Sequence, residues 1–262
     1  VSSPLAILAV GGLDPSGHAG LAADLRAGAS LGVLVAPLAA ALTVQGGDEL
    51  QVQAVDPGLL ARQLEAVSQG LRLAALKVGL LPSAAQVQTL AAFLRRHAEL
   101  PVVLDPVLAA TRGGSLVQGD LLPALRRELL PLLSVLTPNL DEAAALLGRD
   151  LQPDRGGLEN AARDLLGLGP QALLLKGGHL GGAESPDLYA DAQGLSWLEG
   201  ERIDSPNTRG TGCSLATLIA VGLAQGLEPL EACAQAKARL SAYLKQNQVL
   251  SWPQGPGPVL PA

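Results

Sequence analysis

The sequence predicts an α/β fold, with a mainly parallel β-sheet covered by helices on both faces. Short, near-continuous runs of Val, Leu and Ala recur along the chain, separated by segments whose apolar residues follow a 3.6-residue period. Strands that are apolar throughout are buried on both faces, and their alternation with helices implies parallel pairing through right-handed crossovers. Aromatic residues make up only 2% of the chain, so the core is built from small aliphatic side chains, which suits helices packed closely on a sheet.

Residues 5–10 read as a buried strand that breaks at Gly11-Gly12, and Asp14-Pro15-Ser16-Gly17 reads as a loop before a helix over 19–31. A second strand with its C-terminal loop falls in 33–44. Residues 57–70 place Leu59, Leu60, Gln63, Leu64 and Val67 on one helical face. A strand over 74–78 ends at Gly79. Ser83 is in an N-cap position for a helix over 83–97 that lines up Val87, Leu90, Ala91 and Leu94. The all-apolar strand 101–104 delivers Asp105 at its end. Helices over 121–130, 140–147 (closed by Gly148) and 158–168 then alternate with strands over 134–136 and 172–175. Residues 187–190 and 195–198 form a hairpin around Asp191-Ala192-Gln193-Gly194. Two helices, 213–225 and 228–246, complete one domain over residues 1–250. The Pro- and Gly-rich segment 251–262 reads as a loose tail.

Of the 262 residues, 48% are hydrophobic, which provides for a large core, and the net charge is -6. Without a basic stripe or many rings for stacking bases, the composition disfavours nucleic-acid binding. Cys213 and Cys233 make neither a disulfide framework nor a metal cluster. The opening Val1-Ser2-Ser3-Pro4 lacks the basic region of a signal peptide, and the apolar run 31–44 contains Pro37 and is too short to span a bilayer. These features lead to the expectation of a cytoplasmic protein.

Ligands of parallel sheets bind beyond the carboxyl ends of the strands. Four polar signals fall at such ends: residues 11–14, Asp105, residues 139–142 and Lys176-Gly177-Gly178. The strongest local signal is Asn207-Thr208-Arg209-Gly210-Thr211-Gly212-Cys213-Ser214, which runs into an apolar helix. Its glycines allow a tight turn, and the helix start aims N–H groups at one spot, an anion hole for a transferring phosphoryl group. An ordinary Gly-rich helix entry is the alternative, and no Walker loop is present. Cys213 in the first helical turn is expected to have a lowered thiol pKa and to act as a base or a hydrogen-bond partner for a substrate hydroxyl. Asp105 and Glu142 are expected to hold Mg²⁺ through water, unless Glu142 merely complements the helix dipole. Lys176 needs a negative partner, which a nucleotide phosphate supplies. His18, His97 and His179 lack metal-ligand spacing.

The ordered strings Gly12-Leu13-Asp14-Pro15-Ser16-Gly17-His18-Ala19-Gly20 with Ala23-Asp24-Leu25, Ala41-Leu42-Thr43-Val44-Gln45, Lys77-Val78-Gly79, Val103-Leu104-Asp105-Pro106-Val107, Thr137-Pro138-Asn139-Leu140-Asp141-Glu142, Lys176-Gly177-Gly178-His179 and Gly210-Thr211-Gly212-Cys213 resemble one family. It is that of the hydroxymethylpyrimidine/phosphomethylpyrimidine kinases of thiamine biosynthesis, within the ribokinase-like superfamily. The resemblance covers nearly the whole chain. It implies a three-layer α/β/α fold, a homodimer, and ATP- and Mg²⁺-dependent phosphorylation of 4-amino-5-hydroxymethyl-2-methylpyrimidine, first to the monophosphate and then to the diphosphate. By motif position, Asp24 and Gln45 would bind the aminopyrimidine, with Gly12 and Val107 near the ring. Asp105, Asn139 and Glu142 would serve the Mg²⁺–phosphate region, Lys176 the ATP phosphates, and Gly210, Thr211, Gly212 and Cys213 the anion hole. Three departures bear on substrate preference: His18 for glycine, Arg209 for histidine, and Gly46-Gly47 after Gln45. Arg209 either contacts phosphate or faces solvent. Pyridoxal or pyridoxine phosphorylation is the alternative activity, and a non-catalytic pyrimidine sensor is the alternative from another class.

Overall fold

A computed structural model describes residues 5–46, 49–108, 120–178, 182–252 and 255–261. Nine strands form one sheet in the order β3-β2-β1-β4-β5-β6-β7-β8-β9. The parallel part consists of β1 (Ala6–Leu13), β2 (Leu34–Gly46), β4 (Leu73–Val78), β5 (Val102–Leu104), β6 (Val135–Leu136) and β7 (Ala172–Leu175). Antiparallel β3 (Glu49–Ala54) lies at one edge, and the hairpin β8 (Asp187–Asp191) and β9 (Gly194–Leu198) at the other.

Alternate residues of the buried strands feed two cores. Leu8 and Val10 of β1 join Leu76, Val78 and Leu104 under α2 (Pro57–Gly70), α3 (Ala84–Arg96), α4 (Leu121–Ala124), α5 (Leu140–Leu147) and α6 (Arg155–Leu166). Ile7 and Ala9 join Ala75, Val103 and Leu174 on the opposite face, under α1 (Gly20–Ala29), α7 (Thr211–Ala224) and α8 (Pro229–Gln246). The result is three layers. Among the described residues no helix is long and apolar enough to cross a membrane.

Capping fixes the helix starts as the sequence suggests. Ser83 accepts from the Gln86 N–H, and Asn139 with Glu142 closes a reciprocal capping box on α5. Gly148 ends that helix in the left-handed region.

Five local expectations change. Strand β1 does not break at Gly11-Gly12; it continues to Leu13 with a register shift there, which carries the backbone into the pocket described below. Strand β3 falls where no element was expected, because an edge strand needs apolar residues on one face only, and Val52 supplies the contact with Ala41 and Leu80. The helix expected over 121–130 is one α turn followed by a π turn (Leu125–Leu129) and a 3-10 turn (Leu130–Leu132), where Pro131 has no N–H for a regular helix. Helix α6 starts at Arg155 because the Asp154 carboxylate caps Gly157 at 2.7 Å, despite the Gly156-Gly157 pair.

The fifth change is the C-terminal segment, which is not loose over its described residues. The Arg209 N–H donates to Gly257 O and the Val259 N–H to Arg209 O, both at 3.0 Å, and the Val259 side chain is buried. Asn207, itself buried, donates to Asn247 O and Leu250 O at 2.7 and 2.8 Å and accepts from the Gly257 N–H at 3.1 Å. One amide thus joins the loop before α7, the end of α8 and the C-terminal segment. Replacing Asn207 with Ala removes its bonds to two buried backbone groups and one half-buried one, a buried group costing about 1–3 kcal/mol when left unsatisfied. Urea unfolding of Asn207→Ala should show a stability loss of at least about 2 kcal/mol; an unchanged midpoint would mean that this clasp holds nothing.

Candidate active site

The sequential neighbours β1 and β2 lie side by side, but the chain then crosses back to place β4 on the other side of β1. Beyond the carboxyl ends of strands at such a reversal the connecting loops part and leave a crevice. A cavity of about 640 Å³ opens here, lined by Gly12, Thr43, Lys77, Val107, Asn139 and Glu142, and by the start of α7.

On one wall, Lys176 follows β7 and Asp105 follows β5. Lys176 Nζ lies 2.8 Å from Asp105 Oδ1 and 3.7 Å from Glu142 Oε2. Burial alone would lower the Lys176 pKa, but Asp105 and Glu142 outweigh it and raise the pKa, keeping the ammonium charged. Lys176 therefore has protein partners before any phosphate arrives. Burial, reinforced by the Asp105 charge, pushes the Glu142 carboxyl up to about 7 against the pull of Lys176. Glu142 also caps α5, accepting from the Asn139 N–H at 2.7 Å. The helix-capping and pocket-lining readings of Glu142 are both present.

The start of α7 faces this wall. Gly210 has φ +78°, and a Cβ there would lie 2.5 Å from His18 O; a Cβ on Gly212 would come within 3.0 Å of Asp105 Oδ2. Only glycines let the helix end approach the carboxylate and ammonium so closely. Thr211, Gly212 and Cys213 form the first turn, where N–H groups have no partner within the helix.

Cys213 corrects one expectation. Its thiol pKa is not lowered: burial pushes it up to about 11, helped by Asp24 and Asp105, while Lys77 and a hydrogen bond from the Gly20 backbone act the other way. The helix-terminus field loses to desolvation here. Cys233 is a free cysteine buried inside α8.

The structure also relocates Asp24. It is not on the pocket wall but fully buried beneath it, with Oδ1 2.8 Å and Oδ2 3.0 Å from Lys77 Nζ, and the Thr217 hydroxyl donating to Oδ1 at 2.8 Å. With both oxygens engaged, Asp24 presents no acceptor to a ring. Gly12 and Val107 do line the cavity. The Gln45 side chain and His179 lie outside the described residues. Arg209 does not face solvent; its guanidinium lies 3.5 Å from Asp14 Oδ2 and is mostly buried. His18 meets the edge of Trp252 at a centroid distance of 5.4 Å.

Sequence reasoning gave Lys77 and Thr217 no role. Lys77 had a visible signal, since a lysine within Leu73-Ala74-Ala75-Leu76-Lys77-Val78 must find a countercharge if that strand is buried. Asp14 also lines the cavity. Its Oδ1 accepts from the Ser16 N–H and hydroxyl, which folds the Asp-Pro-Ser-Gly turn.

A crevice at a sheet reversal, with a lysine, two carboxylates and a helix start converging on it, defines a small-molecule phosphotransferase with the ribokinase-like α/β fold. Residues 14–259 match the family model described as phosphomethylpyrimidine kinase, and the chain belongs to that family. It is 40% identical over 253 residues to the hydroxymethylpyrimidine/phosphomethylpyrimidine kinase of Rhizobium meliloti, covering 96% of this chain and 95% of that protein. Among solved structures it is similar to an ADP complex of Bacillus subtilis pyridoxal kinase, with a TM-score of 0.88 and 30% identity over 98% of both chains. It is also similar to a phosphomethylpyrimidine kinase from Clostridium difficile, with a TM-score of 0.79 and 27% identity over 91% of this chain and 98% of that one.

Proposed function

We propose that this enzyme transfers the γ-phosphoryl group of ATP to 4-amino-5-hydroxymethyl-2-methylpyrimidine, and then a second phosphoryl group to the monophosphate, in thiamine biosynthesis. The observation that carries this reading is the convergence of Lys176, Asp105 and the Gly212–Cys213 turn on one point of the cavity. Phosphoryl transfer requires alignment and neutralisation of the equatorial oxygens more than it requires covalent chemistry. Lys176 supplies a fixed positive charge and the helix start supplies preorganised N–H donors. In the first reaction the alcohol oxygen forms a bond to the γ-phosphorus, the β–γ bridging bond breaks, and ADP leaves. Gly12 and Val107 would face the ring, with Gln45 reading its edge; Asn139 would stand on the nucleotide side.

Mg²⁺ fits the carboxylate pair. Asp105 and Glu142 are hard oxygen donors close enough for one charge to raise the other's pKa, and a divalent cation between them would relieve that repulsion. Among the described residues no group of three or more His, Cys, Asp or Glu side chains could hold a metal, so the rest of its coordination would come from water and phosphate. When bound, the ion would neutralise phosphate oxygens. Both cysteines are unpaired, which suits a reducing compartment supplied with ATP, and the reading places the enzyme in the cytoplasm.

A second reading, pyridoxal or pyridoxine phosphorylation, is favoured by the likeness to the Bacillus subtilis pyridoxal kinase. Parallel turnover assays with ATP, Mg²⁺ and each alcohol separate the two. The pyrimidine should be the better substrate, and a pyridoxine preference above about tenfold would overturn the assignment. Lys176→Met keeps the stem and removes the charge, so it should lower turnover about 10²–10³-fold and raise the KM for ATP. Parental kinetics in that variant would remove Lys176 from the phosphate site.

The reading includes a homodimer. Leu13 and Leu42 are paired in register and exposed, and Val44 lies on the same face of β2 as Leu42. A second copy would cover this apolar patch. Light scattering should give twice the chain mass for the parent and a monomer for Leu42→Asp; a monomeric parent would contradict this part.

A further inference from the structure

Beneath the pocket floor lies an assembly that the proposed reaction has not yet used. Lys77 on β4 is 1% exposed, yet it lines the cavity together with Cys213. Its side chain follows the face of Ala75, toward α1 and α7, and there it meets Asp24 of α1. Thr217 of α7 donates to the same carboxylate. Thr217 stands one helical turn beyond Cys213 and on the same face of α7. Three elements are therefore joined under the thiol by one ion pair and one hydroxyl.

We propose that Lys77, clamped by Asp24 and Thr217, is a positioning residue acting through Cys213, and that this assembly serves phosphoryl transfer to the alcohol but not to the phosphate monoester formed from it. The inference rests on the function proposed above and adds a division of labour between its two reactions.

Two arguments carry it. The first is electrostatic. A buried ion pair contributes little net stability compared with apolar residues of the same size, so a charge fixed at a pocket wall has its main consequence for what lies beside it. Cys213 faces Lys77 from β4 and the Gly20 N–H from α1, which favour the thiolate, and Asp24 and Asp105, which oppose it. Burial is the largest influence and holds the thiol protonated; Lys77 is the strongest opposing one. For Lys77 itself, burial favours the neutral amine, but Asp24 outweighs that and keeps the ammonium charged.

The second argument is the chemistry of the acceptors. An alcohol brings its proton to the reaction. As the oxygen–phosphorus bond forms and the bridging bond to ADP breaks, that proton must go to a base, here the Cys213 thiolate, the minor form that Lys77 favours; the resting thiol first gives its own proton to solvent, and taking the alcohol proton restores it. A phosphate monoester loses its second proton with a pKa near 6, so at neutral pH its attacking oxygen is already an anion. It needs no base, only alignment and the neutralising groups around Lys176.

The test measures transfer from ATP to each acceptor in separate reactions with the full chain. The variants are Cys213→Ala and the double variant Asp24→Asn/Lys77→Met, which removes both charges so that neither is left buried alone. Both should lose at least about 30-fold in turnover of the hydroxymethylpyrimidine, while turnover of its monophosphate stays within about threefold of the parent. In a Cys233→Ala background, alkylation of Cys213 by iodoacetamide at a fixed alkaline pH should also be slower in the double variant. Lys77→Arg, which keeps the charge, should recover part of the alcohol rate. If the double variant does not fold, Thr217→Val, which keeps the ion pair, should show a smaller loss confined to the alcohol. Equal losses with both acceptors, or no loss with either, would overturn the inference. A parent that phosphorylates neither acceptor would instead sink the function on which it rests.

Discussion

The site depends on a close approach: the first turn of α7 lies against the Asp105–Lys176 pair with only hydrogen at Gly212. A single added methyl group there would meet the carboxylate at 3.0 Å. The parallel register through β6, with Leu104 beside Leu136 and Leu136 beside Leu173, brings Asp105 and Lys176 out at the same edge of the sheet. The approach also requires α7 to begin with a left-handed residue, which Gly210 supplies. The Asn207 clasp behind that loop holds its entry in place.

Around this contact the charges are arranged in two tiers. The upper tier, Lys176 with Asp105 and Glu142, faces the cavity, and on the proposed reading it would change partners when phosphate enters. The lower tier, Lys77 with Asp24 and Thr217, is buried, with Lys77 alone reaching the cavity wall and both Asp24 oxygens already engaged. Exchangeable pairs suit a group that must hold and release a ligand, whereas buried pairs suit a group that sets a field. Cys213 lies where the two tiers meet, which explains why both Lys77 and Asp105 act on its thiol.

Much of this was legible in the sequence. Alternating buried strands and amphipathic helices gave the parallel sheet, and polar residues at strand ends marked its active edge. Ser83 and Gly148 announced their own helix boundaries, through side-chain capping and left-handed geometry respectively. What escaped depended on partners distant in sequence. Asp24 reads as an available carboxylate until Lys77, 53 residues away, and Thr217, 193 residues away, are seen to occupy it. The Cys213 thiol reads as activated because a helix start is a local feature, whereas the burial that overrides it comes from packing. The surface alternative for Arg209 fails because the first loop brings Asp14 beside it and covers it. The Pro- and Gly-rich end reads as loose because composition does not report a docking partner such as Asn207.

The central claim is that the transferred phosphoryl group sits between Lys176 and the start of α7. A crystal structure with a non-hydrolysable ATP analogue and Mg²⁺ tests it directly. The account predicts the γ-phosphate about 3 Å from the Gly212 or Cys213 N–H, with Lys176 Nζ turned onto a phosphate oxygen. A γ-phosphate seated away from the α7 start, with Lys176 still bonded to Asp105 alone, would contradict it.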